Sequence, residues 1–406
     1  MSMSLRILDT FAGAGGFSLG FQMSGCEILG AIETDSWAVE TFLANHPESF
    51  AIEKDIENLT EKELLKSLQG NQVDVVLGGP PCQGFSICNK NAGDTKDPRN
   101  SLFREFLRVG QILSPQVMIM ENVPNLLKAK TELKVPVLDI ILEELSTMGY
   151  HVYHRVLEAT SYGIPQIRRR LFVVASKTAL EQPFPTPTHK WFNGSEPNLF
   201  ERDLKTTPTL WDAISDLPDI NAREGAEISE YTKKASNDYQ SYLRENSDVL
   251  YNHLSMKHSK RMVERFMSMQ CGQSVSDVPD HLKPFARNSN GTKIGKSYDQ
   301  NNRRMHPDRP CHTIPASFYA NFVHPFKHRN FTAREGARIQ GFPDQYVFKG
   351  KPTVVSKKLL AREGRHKENY LCQYNQIGNA VPPLLSKAIS KNLVEQLNLC
   401  MSTAII

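Results

Sequence analysis

The sequence predicts an α/β protein with a doubly wound, mostly parallel sheet, followed by a second, smaller and irregular domain. In the first half, short apolar segments typical of buried strands alternate with segments of helical periodicity. Repeated β-α units of this kind favour a parallel sheet covered by helices. From residue 181 the chain becomes rich in proline, asparagine and serine, with few long periodic runs. Residues 1–180 are therefore the predicted first domain, and the second extends over 181–372.

The first domain begins with a predicted strand at residues 5–11, a glycine-rich turn and a helix at 17–24. A second strand at 27–32 leads to a helix at 36–46, with Ser36 as its predicted N-cap. The remaining elements follow the same alternation, with strands at 73–77, 117–120 and 171–175 and helices at 102–113 and 135–148. A further helix is predicted at 384–397.

The composition excludes several classes of protein. At 406 residues the chain is long enough for two domains and a sizeable core. No apolar run approaches the length that spans a bilayer, and no leader of charged and then apolar residues begins the chain. Seven cysteines without a Cys-x-x-Cys pair argue against a disulfide framework and a cysteine zinc site. We expect a cytoplasmic protein without a metal ion, and we interpret His324 and His328 as surface or structural histidines.

Charge is distributed unevenly along the chain. The net charge is only +4, but residues 251–367 contain 22 Lys and Arg against 8 Asp and Glu, a local net charge of +14. The rest of the chain contains 26 basic and 36 acidic residues. A basic segment in an otherwise acidic protein is typical of a surface that binds a polyanion, although a solvated lysine-rich surface would give the same count.

The segment from Gly78 to Ser86, Gly-Gly-Pro-Pro-Cys-Gln-Gly-Phe-Ser, follows a predicted buried strand. Two glycines let the backbone approach a ligand, and two prolines fix φ just before Cys82. Such a corner would hold a nucleophilic sulfur at the carboxyl edge of the sheet, where open α/β folds bind their ligands. Taken alone, Cys82 would more often be a small buried residue that caps a strand.

A second glycine-rich segment, Phe-Ala-Gly-Ala-Gly-Gly at residues 11–16, follows the first strand and begins a helix. It indicates either a nucleotide-type ligand or a plain tight turn. Glu33 ends the second strand, where a carboxylate can bind ribose hydroxyls, and Asp55 ends a third short strand. The spacing Gly-x-Gly-Gly disfavours a pyrophosphate dinucleotide.

These segments are followed by Glu121-Asn122-Val123, by Gln-Ile-Arg-Arg-Arg at 166–170 and by Gln-Ile-Gly-Asn-Ala-Val-Pro at 376–382. In this order they resemble the cytosine-5 DNA methyltransferases, the bacterial modification enzymes of type II restriction-modification systems. The resemblance extends over about 5–397, with an unmatched stretch between Ser176 and Met305.

The resemblance implies a Rossmann-like, S-adenosylmethionine-dependent methyltransferase. Its residues 181–372 would be a target-recognition domain, and 373–406 would fold back to complete the catalytic domain. The expected substrate is double-stranded DNA, methylated at a specific sequence. The enzyme would act as a monomer, and it would protect host DNA from a cognate restriction endonuclease without forming a stable complex with it.

The resemblance also assigns the chemistry. The Cys82 thiolate would add to carbon 6 of a cytosine flipped out of the duplex, and the methyl group would then go to carbon 5. Glu121 would act as the acid, hydrogen-bonded to the ring nitrogen and exocyclic amine. Arg168 and Arg170 would activate the thiolate and polarise the ring carbonyl, whereas Arg169 would face elsewhere. From its position alone, Glu121 could instead be a helix N-cap.

In the cofactor pocket that the resemblance implies, Phe11 stacks on the adenine and Glu33 holds the ribose. The other predicted cofactor residues border the adenine, shape the wall or reach the amino-acid end: Gly13, Gly15, Asp55, Ile56, Gly78, Leu102, Asn379 and Val381. Ile56 and Leu102 would be ordinary core residues on their own merits.

DNA contacts are predicted in two regions. Residues 87–100 are interpreted as a lid over the flipped base or, alternatively, a plain surface loop, and we place Ser86 and Arg99 among the DNA-binding residues. Base reading is predicted within 271–304, above all at 296–303, where the following side chains can bond to base edges: Lys296, Tyr298, Gln300, Asn301, Asn302 and Arg303. The same stretch could be a solvated turn. Residues 329–343 are expected to position the domain.

Four other functions remain as alternatives. An RNA cytosine-5 methyltransferase would share the architecture, but the basic insert favours sequence-specific DNA. Amino methylation of adenine or cytosine would need an Asn/Asp-Pro-Pro-aromatic motif without the cysteine. An inactive DNA-binding homologue is opposed by the intact set of four predicted catalytic residues. A nucleotide-dependent oxidoreductase is opposed by the glycine pattern and the Pro-Pro-Cys corner.

Overall fold

The computed structural model describes residues 4–81, 102–131, 134–286, 293–295, 301–352, 364 and 370–403. The chain divides into two compact units. The first contains Met1–Tyr162, Arg168–Thr188 and Ala380–Ile406, and the second contains Gly163–Ile167 and His189–Asn379. Residues 163–167 and 373–379 thus group with the second unit, whereas the predicted ranges placed them in the first domain. Residues 181–188 group with the first unit, whereas they were predicted in the second domain. The predicted lid and six site residues lie outside the described residues, namely Cys82, Ser86, Arg99, Lys296, Tyr298 and Gln300.

The first unit is built on a seven-stranded sheet. Its strands are β1 (Arg6–Thr10), β2 (Glu27–Glu33), β3 (Phe50–Glu53), β4 (Val75–Gly78), β5 (Val117–Asn122), β6 (His151–Glu158) and β8 (Arg169–Ser176). The strand order is β3-β2-β1-β4-β5-β8-β6. Strands β1 to β5 are parallel, and β8 runs antiparallel to both β5 and β6. The predicted α/β class with a mostly parallel sheet is confirmed.

The helices of the first unit are α1 (Gly16–Gln22), α2 (Ser36–Asn45), α3 (Glu61–Leu68), α4 (Leu102–Leu113), α5 (Val137–Thr147) and the C-terminal α12 (Pro383–Thr403). Short 3-10 helices lie at Ile56–Asn58, Pro124–Lys128 and Ala159–Tyr162. One predicted detail was wrong, because the N-cap of α2 is Asp35 and not Ser36. The Oδ1 atom of Asp35 accepts a 2.9 Å hydrogen bond from the Ala38 N–H, which is the bond an N-cap supplies.

The core of the first unit combines β-branched strand residues with apolar helix residues. Val76 and Ile119 in the central strands are fully buried, as are Phe106 of α4 and Ile141 of α5. As the sequence predicted, the alternation of strand and helix patterns arises from a buried sheet that helices cover with their apolar faces.

The C-terminal helix α12 packs closely against α1. A Cβ atom on Gly20 would lie 2.3 Å from the Cβ atom of Ser386, so a larger residue could not occupy this position without moving the helices apart. The Ser386 hydroxyl donates to the Phe17 carbonyl at 2.6 Å, and the Ser24 hydroxyl contacts the Lys387 carbonyl at 3.3 Å. The last helix is thus part of the first unit.

The second unit consists of short elements. Its strands are β7 (Gln166–Ile167), β9 (His189–Lys190), β10 (Lys205–Thr206), β11 (Gly225–Ser229), β12 (Leu250–Leu254), β13 (Arg303–Arg304), β14 (Cys311–His312) and β15 (Phe322–Val323). They form the pairs β7-β14, β9-β10, β11-β12 and β13-β15. The helices are α6 (Leu210–Ile214), α7 (Asp238–Arg244), α8 (Lys260–Met267), α9 (Phe318–Asn321), α10 (Ala333–Gln340) and α11 (Gln373–Asn379), with 3-10 turns at Leu199–Glu201 and Asp280–Leu282. In the described part of the chain, no helix has both the length and the apolar character needed to cross a membrane.

Buried ion pairs stabilise the second unit. The Nε atom of Arg338 lies 2.6 Å from Asp344 Oδ1, and its Nη1 atom lies 3.0 Å from Asp216 Oδ1. Arg329 contacts Glu335 through two hydrogen bonds of 2.8 Å. All five side chains are at most 2% exposed. This burial agrees with the predicted scaffold role of residues 329–343, since such guanidinium groups cannot reach a base.

Candidate active site

The carboxyl ends of β1 and β4 lie side by side at one edge of the sheet, with Thr10 in register with Gly78. In the order β3-β2-β1-β4-β5 the direction of winding reverses between these two strands. Open α/β sheets have a crevice for ligands at such a reversal. The two glycine-rich segments of the sequence leave the sheet here, one after β1 and the other after β4.

The turn after β1 has an unusual backbone. Phe11 has a φ of 57°, and Gly13 and Gly15 have φ values of 53° and 76°. The left-handed region costs a non-glycine residue conformational energy, and such residues cluster at binding sites. A Cβ atom on Gly13 would meet no atom within 4 Å, so this part of the turn borders open space. The turn therefore presents accessible backbone at the N-terminus of α1.

Glu33 holds this turn from the neighbouring strand. Its Oε2 atom accepts a 2.8 Å hydrogen bond from the Gly13 N–H, and Oε1 accepts bonds from the Thr34 and Asp35 N–H groups at 2.8 and 2.9 Å. Burial raises the pKa of Glu33, and these N–H groups oppose the rise. A carboxylate has about four acceptor positions, so three N–H bonds leave capacity for a hydroxyl donor. The arrangement suits a ligand with ribose hydroxyls.

Three further predicted cofactor residues surround the ends of β3 and β4. Asp55 caps a short 3-10 helix by accepting from the Glu57 N–H at 3.1 Å. Ile56 is 4% exposed, and its carbonyl accepts a 2.7 Å hydrogen bond from Arg108 Nη2. Gly78 ends β4 and packs against Phe106 of α4.

The remaining predicted cofactor residues have different surroundings. Leu102 begins α4 and packs half-buried against the core of the first unit. Val381 is buried and belongs to the first unit, whereas Asn379 is the last residue of the second unit. The cofactor roles of these three residues stay predictions.

Glu121 forms an ion pair with Arg170. The two residues lie on adjacent antiparallel strands, β5 and β8, and Glu121 Oε1 lies 2.7 Å from Arg170 Nε. The side chains are only 14% and 15% exposed. Two of the residues predicted to act on the base are therefore direct partners, in a position that is partly shielded from water.

The backbone that leads to Cys82 lies beside this ion pair. A Cβ atom on Gly79 would lie 3.6 Å from Glu121 Oε2. The closest contact of Arg170 is with the other carboxylate oxygen, Oε1. The neighbouring Asn122 amide donates to the Pro80 carbonyl at 3.3 Å. The end of β5 thus holds the first residues of the Gly-Gly-Pro-Pro-Cys segment.

Arg168 is buried deeply, with 1% of its surface exposed. Its Nη2 atom donates to the Ala380 carbonyl at 3.1 Å, and its own carbonyl accepts from the Ala159 N–H at 2.9 Å. Burial lowers the pKa of Arg168 well below its usual value, with a further contribution from the Arg170 charge, and Glu121 opposes the shift. Arg169 is exposed at the start of β8, as its predicted orientation requires.

Sequence reasoning assigned no role to Asp9 and Ser18. Asp9 lies in β1 just before the glycine turn, is 1% exposed and accepts a 2.6 Å hydrogen bond from the Ser18 hydroxyl. Burial raises the pKa of Asp9 to about 7, and the bond from Ser18 opposes this. The sequence did contain a signal for this pair, namely a carboxylate inside a predicted apolar strand. Ionisable residues are rarely buried without a partner, so Asp9 could have been expected to have one.

The described part of the predicted DNA-reading stretch contains Asn301, Asn302 and Arg303. Asn301 is exposed, whereas Asn302 has a φ of 49° and its side-chain oxygen accepts from the Asn330 amide at 3.3 Å. Arg303 is half-buried and begins β13. Asn302 therefore has a conformational role in a turn, and base reading by all three residues stays a prediction.

Comparison with protein families identifies one match over nearly the whole chain. The model of the C-5 cytosine-specific DNA methylases matches residues 5–395. The match covers both units, including every predicted catalytic and DNA-binding residue.

Two type II methyltransferases are similar to this chain. M.DdeI of Desulfomicrobium norvegicum is 44% identical over 391 residues, which are 96% of this chain and 88% of that protein. M1.HphI of Haemophilus parahaemolyticus is 33% identical over 398 residues, which are 97% of this chain and 87% of that protein.

Solved structures show the same fold. A protein of an E. coli prophage, described as a candidate DNA modification methyltransferase, has a TM-score of 0.69 and 26% identity, and the match covers 97% of this chain and 100% of that chain. The S. pombe Dnmt2 methyltransferase has a TM-score of 0.54 and 18% identity, with 98% and 99% of the two chains covered. At that identity the second likeness concerns the fold alone.

Proposed function

Because the chain belongs to the C-5 cytosine-specific DNA methylases and is a DNA cytosine methyltransferase related to the type II modification enzymes, we propose a specific reaction for it. It transfers a methyl group to carbon 5 of one cytosine within a defined sequence of double-stranded DNA. S-adenosylmethionine supplies the electrophilic methyl group. The methylated site is protected from a cognate restriction endonuclease, and the enzyme acts as a cytoplasmic monomer.

The turn after β1 supports the choice of cofactor. Its open backbone at Gly13 and the carboxylate of Glu33 suit an adenosine-containing ligand, since the carboxylate accepts from ribose hydroxyls. In this proposal Phe11 stacks on the adenine. Asp55 and Ile56 border the adenine from the end of β3.

Carbon 5 of cytosine is a weak nucleophile, so the ring must first become electron-rich. The Cys82 thiolate adds to carbon 6, forming a carbon–sulfur bond and an enamine whose carbon 5 takes the methyl group. Carbon 5 gains the methyl group as S-adenosylhomocysteine leaves. A base then removes the carbon 5 proton, and elimination of the Cys82 thiolate restores the aromatic ring. Because a stacked base cannot present carbon 6 to a sulfur, the cytosine must leave the duplex.

Glu121 and Arg170 hold the flipped base. The ion pair fixes one carboxylate oxygen of Glu121 and leaves the other beside Gly79. In the proposed complex this carboxyl group bonds to the ring nitrogen and exocyclic amine, which draws electrons from carbon 6 when the thiolate attacks. Arg170 contributes positive charge near the ring carbonyl, and the buried Arg168 adds to it, since it interacts electrostatically with both Arg170 and Glu121.

The second unit is proposed to recognise the target sequence. Residues 251–367 carry the net charge of +14, and phosphate contacts from such a surface would give affinity for any DNA. Base reading by side chains within 296–303 would add specificity. The lid at 87–100, with Ser86 and Arg99, would close over the flipped base.

The observation that carries this proposal is the 2.7 Å ion pair between Glu121 and Arg170, beside the backbone that leads to Cys82. The test is to map 5-methylcytosine in DNA from cells that express the chain, with Cys82→Ser as the matched variant. The parent should methylate one cytosine at a fixed sequence, and the variant should methylate none while still binding DNA and cofactor. DNA with 5-fluorocytosine at the target should form a covalent adduct with the parent only. Near-normal turnover by Cys82→Ser would contradict the mechanism.

A further inference from the structure

We propose that Asp9 and Ser18 form a positioning pair, which sets the glycine turn at residues 11–15 in the conformation that binds the cofactor. This inference rests on the proposed use of S-adenosylmethionine. Neither side chain touches the cofactor in this proposal, since both are at most 1% exposed.

The hydrogen bond between Asp9 and Ser18 joins the two elements on either side of the turn, β1 and α1. Asp9 is the penultimate residue of β1 and Ser18 is the third residue of α1, so the whole turn lies between them. The Ser18 hydroxyl lies 2.6 Å from Asp9 Oδ2, which is within the range for hydroxyl–carboxylate bonds. A bond of this kind fixes the direction in which α1 leaves β1.

Two carboxylates on adjacent strands thus hold the turn at two points. Glu33, at the end of β2, binds the Gly13 N–H near the tip, and Asp9, in β1, binds α1 at the base. Glu33 keeps acceptor capacity for a ligand, whereas Asp9 is closed off by burial. Asp9 would therefore affect cofactor binding indirectly, by holding the turn in its conformation.

Packing alone does not account for this arrangement. A buried carboxyl group costs folding free energy even when it is hydrogen-bonded, and an apolar pair of similar volume would pack without that cost. What the pair supplies and an apolar contact lacks is a fixed direction. The residues that depend on this direction are Phe11 and Gly13, whose left-handed backbone conformations lie between the two ends of the bond.

The test measures cofactor binding to the full-length protein without DNA. S-adenosylmethionine and its unreactive product S-adenosylhomocysteine are each titrated calorimetrically into the parent, Ser18→Ala and Asp9→Asn. Ser18→Ala deletes the hydroxyl donor and keeps the Ser18 N–H bond to Asp9, and the dissociation constant should rise about 10-fold for both ligands, as expected for the loss of one buried hydrogen bond. Asp9→Asn keeps an acceptor oxygen and should bind within about 3-fold of the parent.

Steady-state kinetics separate positioning from a catalytic effect. For Ser18→Ala the KM for S-adenosylmethionine should rise in proportion to the dissociation constant, while kcat at saturation stays within about 2-fold of the parent. Ser24→Ala is the matched control, because it removes a hydroxyl just beyond the C-terminal end of α1, where the hydroxyl donates to the Gly20 carbonyl at 3.1 Å. The control should bind both ligands as the parent does.

Parent-like affinity in Ser18→Ala would overturn the inference, and so would a lower melting temperature with unchanged affinity. If Ser18→Ala does not fold, Ser18→Cys keeps the volume and a weaker donor, and an intermediate loss of affinity is then expected. Parent-like affinity in that variant would equally overturn the inference. Failure of the parent itself to bind either ligand would refute the proposed cofactor, which is a distinct result.

Discussion

The two units of the molecule use buried charge in different ways. In the first unit the carboxylates of Asp9, Glu33 and Glu121 lie at one edge of a regular sheet, each close to a glycine-rich backbone segment. In the second unit the guanidinium groups of Arg329 and Arg338 lie inside ion pairs among short elements.

The difference shows which buried charges are available for chemistry. Arg338 is enclosed by Asp216 and Asp344, which raises its pKa, although burial opposes the rise. Glu121 has its closest ion-pair contact through Oε1, and its side chain remains 14% exposed. A charged group that keeps hydrogen-bonding capacity at a sheet edge indicates a site, whereas one with its partners complete indicates a scaffold.

Glu121→Gln tests the chemical half of this comparison. The substitution should slow turnover by ~10²–10⁴-fold, because a positioned proton donor is lost, with little change in affinity for S-adenosylmethionine. Single-turnover methylation of a short duplex gives the rate, and calorimetry gives the affinity. Glu27→Gln, at the opposite end of a strand in the same sheet, should leave both unchanged. Loss of cofactor affinity without loss of turnover per bound complex would make Glu121 a cofactor ligand.

Arg338→Met tests the scaffold half. Removing the guanidinium takes away the main partner of the buried Asp216 and Asp344, which keep only Arg244 at 3.1 Å and Arg334 at 3.7 Å as cationic neighbours. The stability of the second unit should therefore fall by about 3 kcal/mol. Hydrogen exchange at the amides of α10, measured at increasing urea concentration, gives the free energy of unfolding of this unit. Lys283→Ala breaks an ion pair with the 76%-exposed Asp280 and should cost less than about 1 kcal/mol. If Arg338→Met and Lys283→Ala lowered the stability by the same amount, burial would not determine how much an ion pair contributes.

Arg303→Ala tests whether the second unit reads bases through 296–303. Loss of a two-bond contact to a base should cost about 1–3 kcal/mol of binding and relax the preference at one base pair. Competition binding with the specific site, single-base variants and random DNA measures both quantities. Arg309→Ala, in an exposed pair with Asp308, is the control. If binding weakened equally on specific and random DNA, Arg303 would be a phosphate contact.

The smallest expected difference between the two units is in how much their stability falls at acid pH. Burial lowers the pKa of His258 to about 4 and of His324 to about 3, so the folded second unit excludes protons that the unfolded chain binds. Its stability should therefore fall as pH drops from about 6.5 toward 4, by about 1 kcal/mol per histidine between pH 7 and 5.5.

The first unit contains two opposing groups. His46, with a pKa lowered to about 4 by burial, also disfavours folding as pH falls. Asp9 has the reverse effect, because its pKa is raised to about 7, and its contribution to stability is lost as pH rises through 7. Hydrogen exchange at pH 7 and 5.5 should show a larger loss of protection in the second unit. A larger loss in the first unit would contradict these shifts.

The sequence predicted the sheet well because buried parallel strands are continuous apolar runs. Residues 73–77 and 117–120 correspond to β4 and β5, and the helix predicted at 102–113 is α4. Strand β6 was missed, because its sequence, His-Val-Tyr-His-Arg-Val-Leu-Glu, has neither a continuous apolar run nor strict alternation, and most of its residues are exposed or half-buried. In the second unit, α10 was missed because its sequence, Ala-Arg-Glu-Gly-Ala-Arg-Ile-Gln, is short and mostly polar, which is typical of a surface segment, although all eight residues are buried.

The sequence selected candidate site residues, but it did not predict the contacts between them. Glu121 and Arg170 were each selected from a motif, yet their pairing depends on the antiparallel register of β5 and β8. The bond between Asp9 and Ser18 likewise depends on the angle between a strand and the helix after it. Such angles come from tertiary packing, which residue patterns do not encode directly.

The close packing of α12 on α1 has a consequence for biosynthesis. The first unit needs Ala380–Ile406, and the ribosome must translate His189–Asn379 before it reaches them. At about 5–20 residues per second this takes roughly 10–40 s, during which the groove around Gly20 lacks its partner helix. The nascent enzyme therefore completes its catalytic unit only after the second unit has been translated, and a chaperone that shields apolar surface would have its greatest effect on this helix face during that interval.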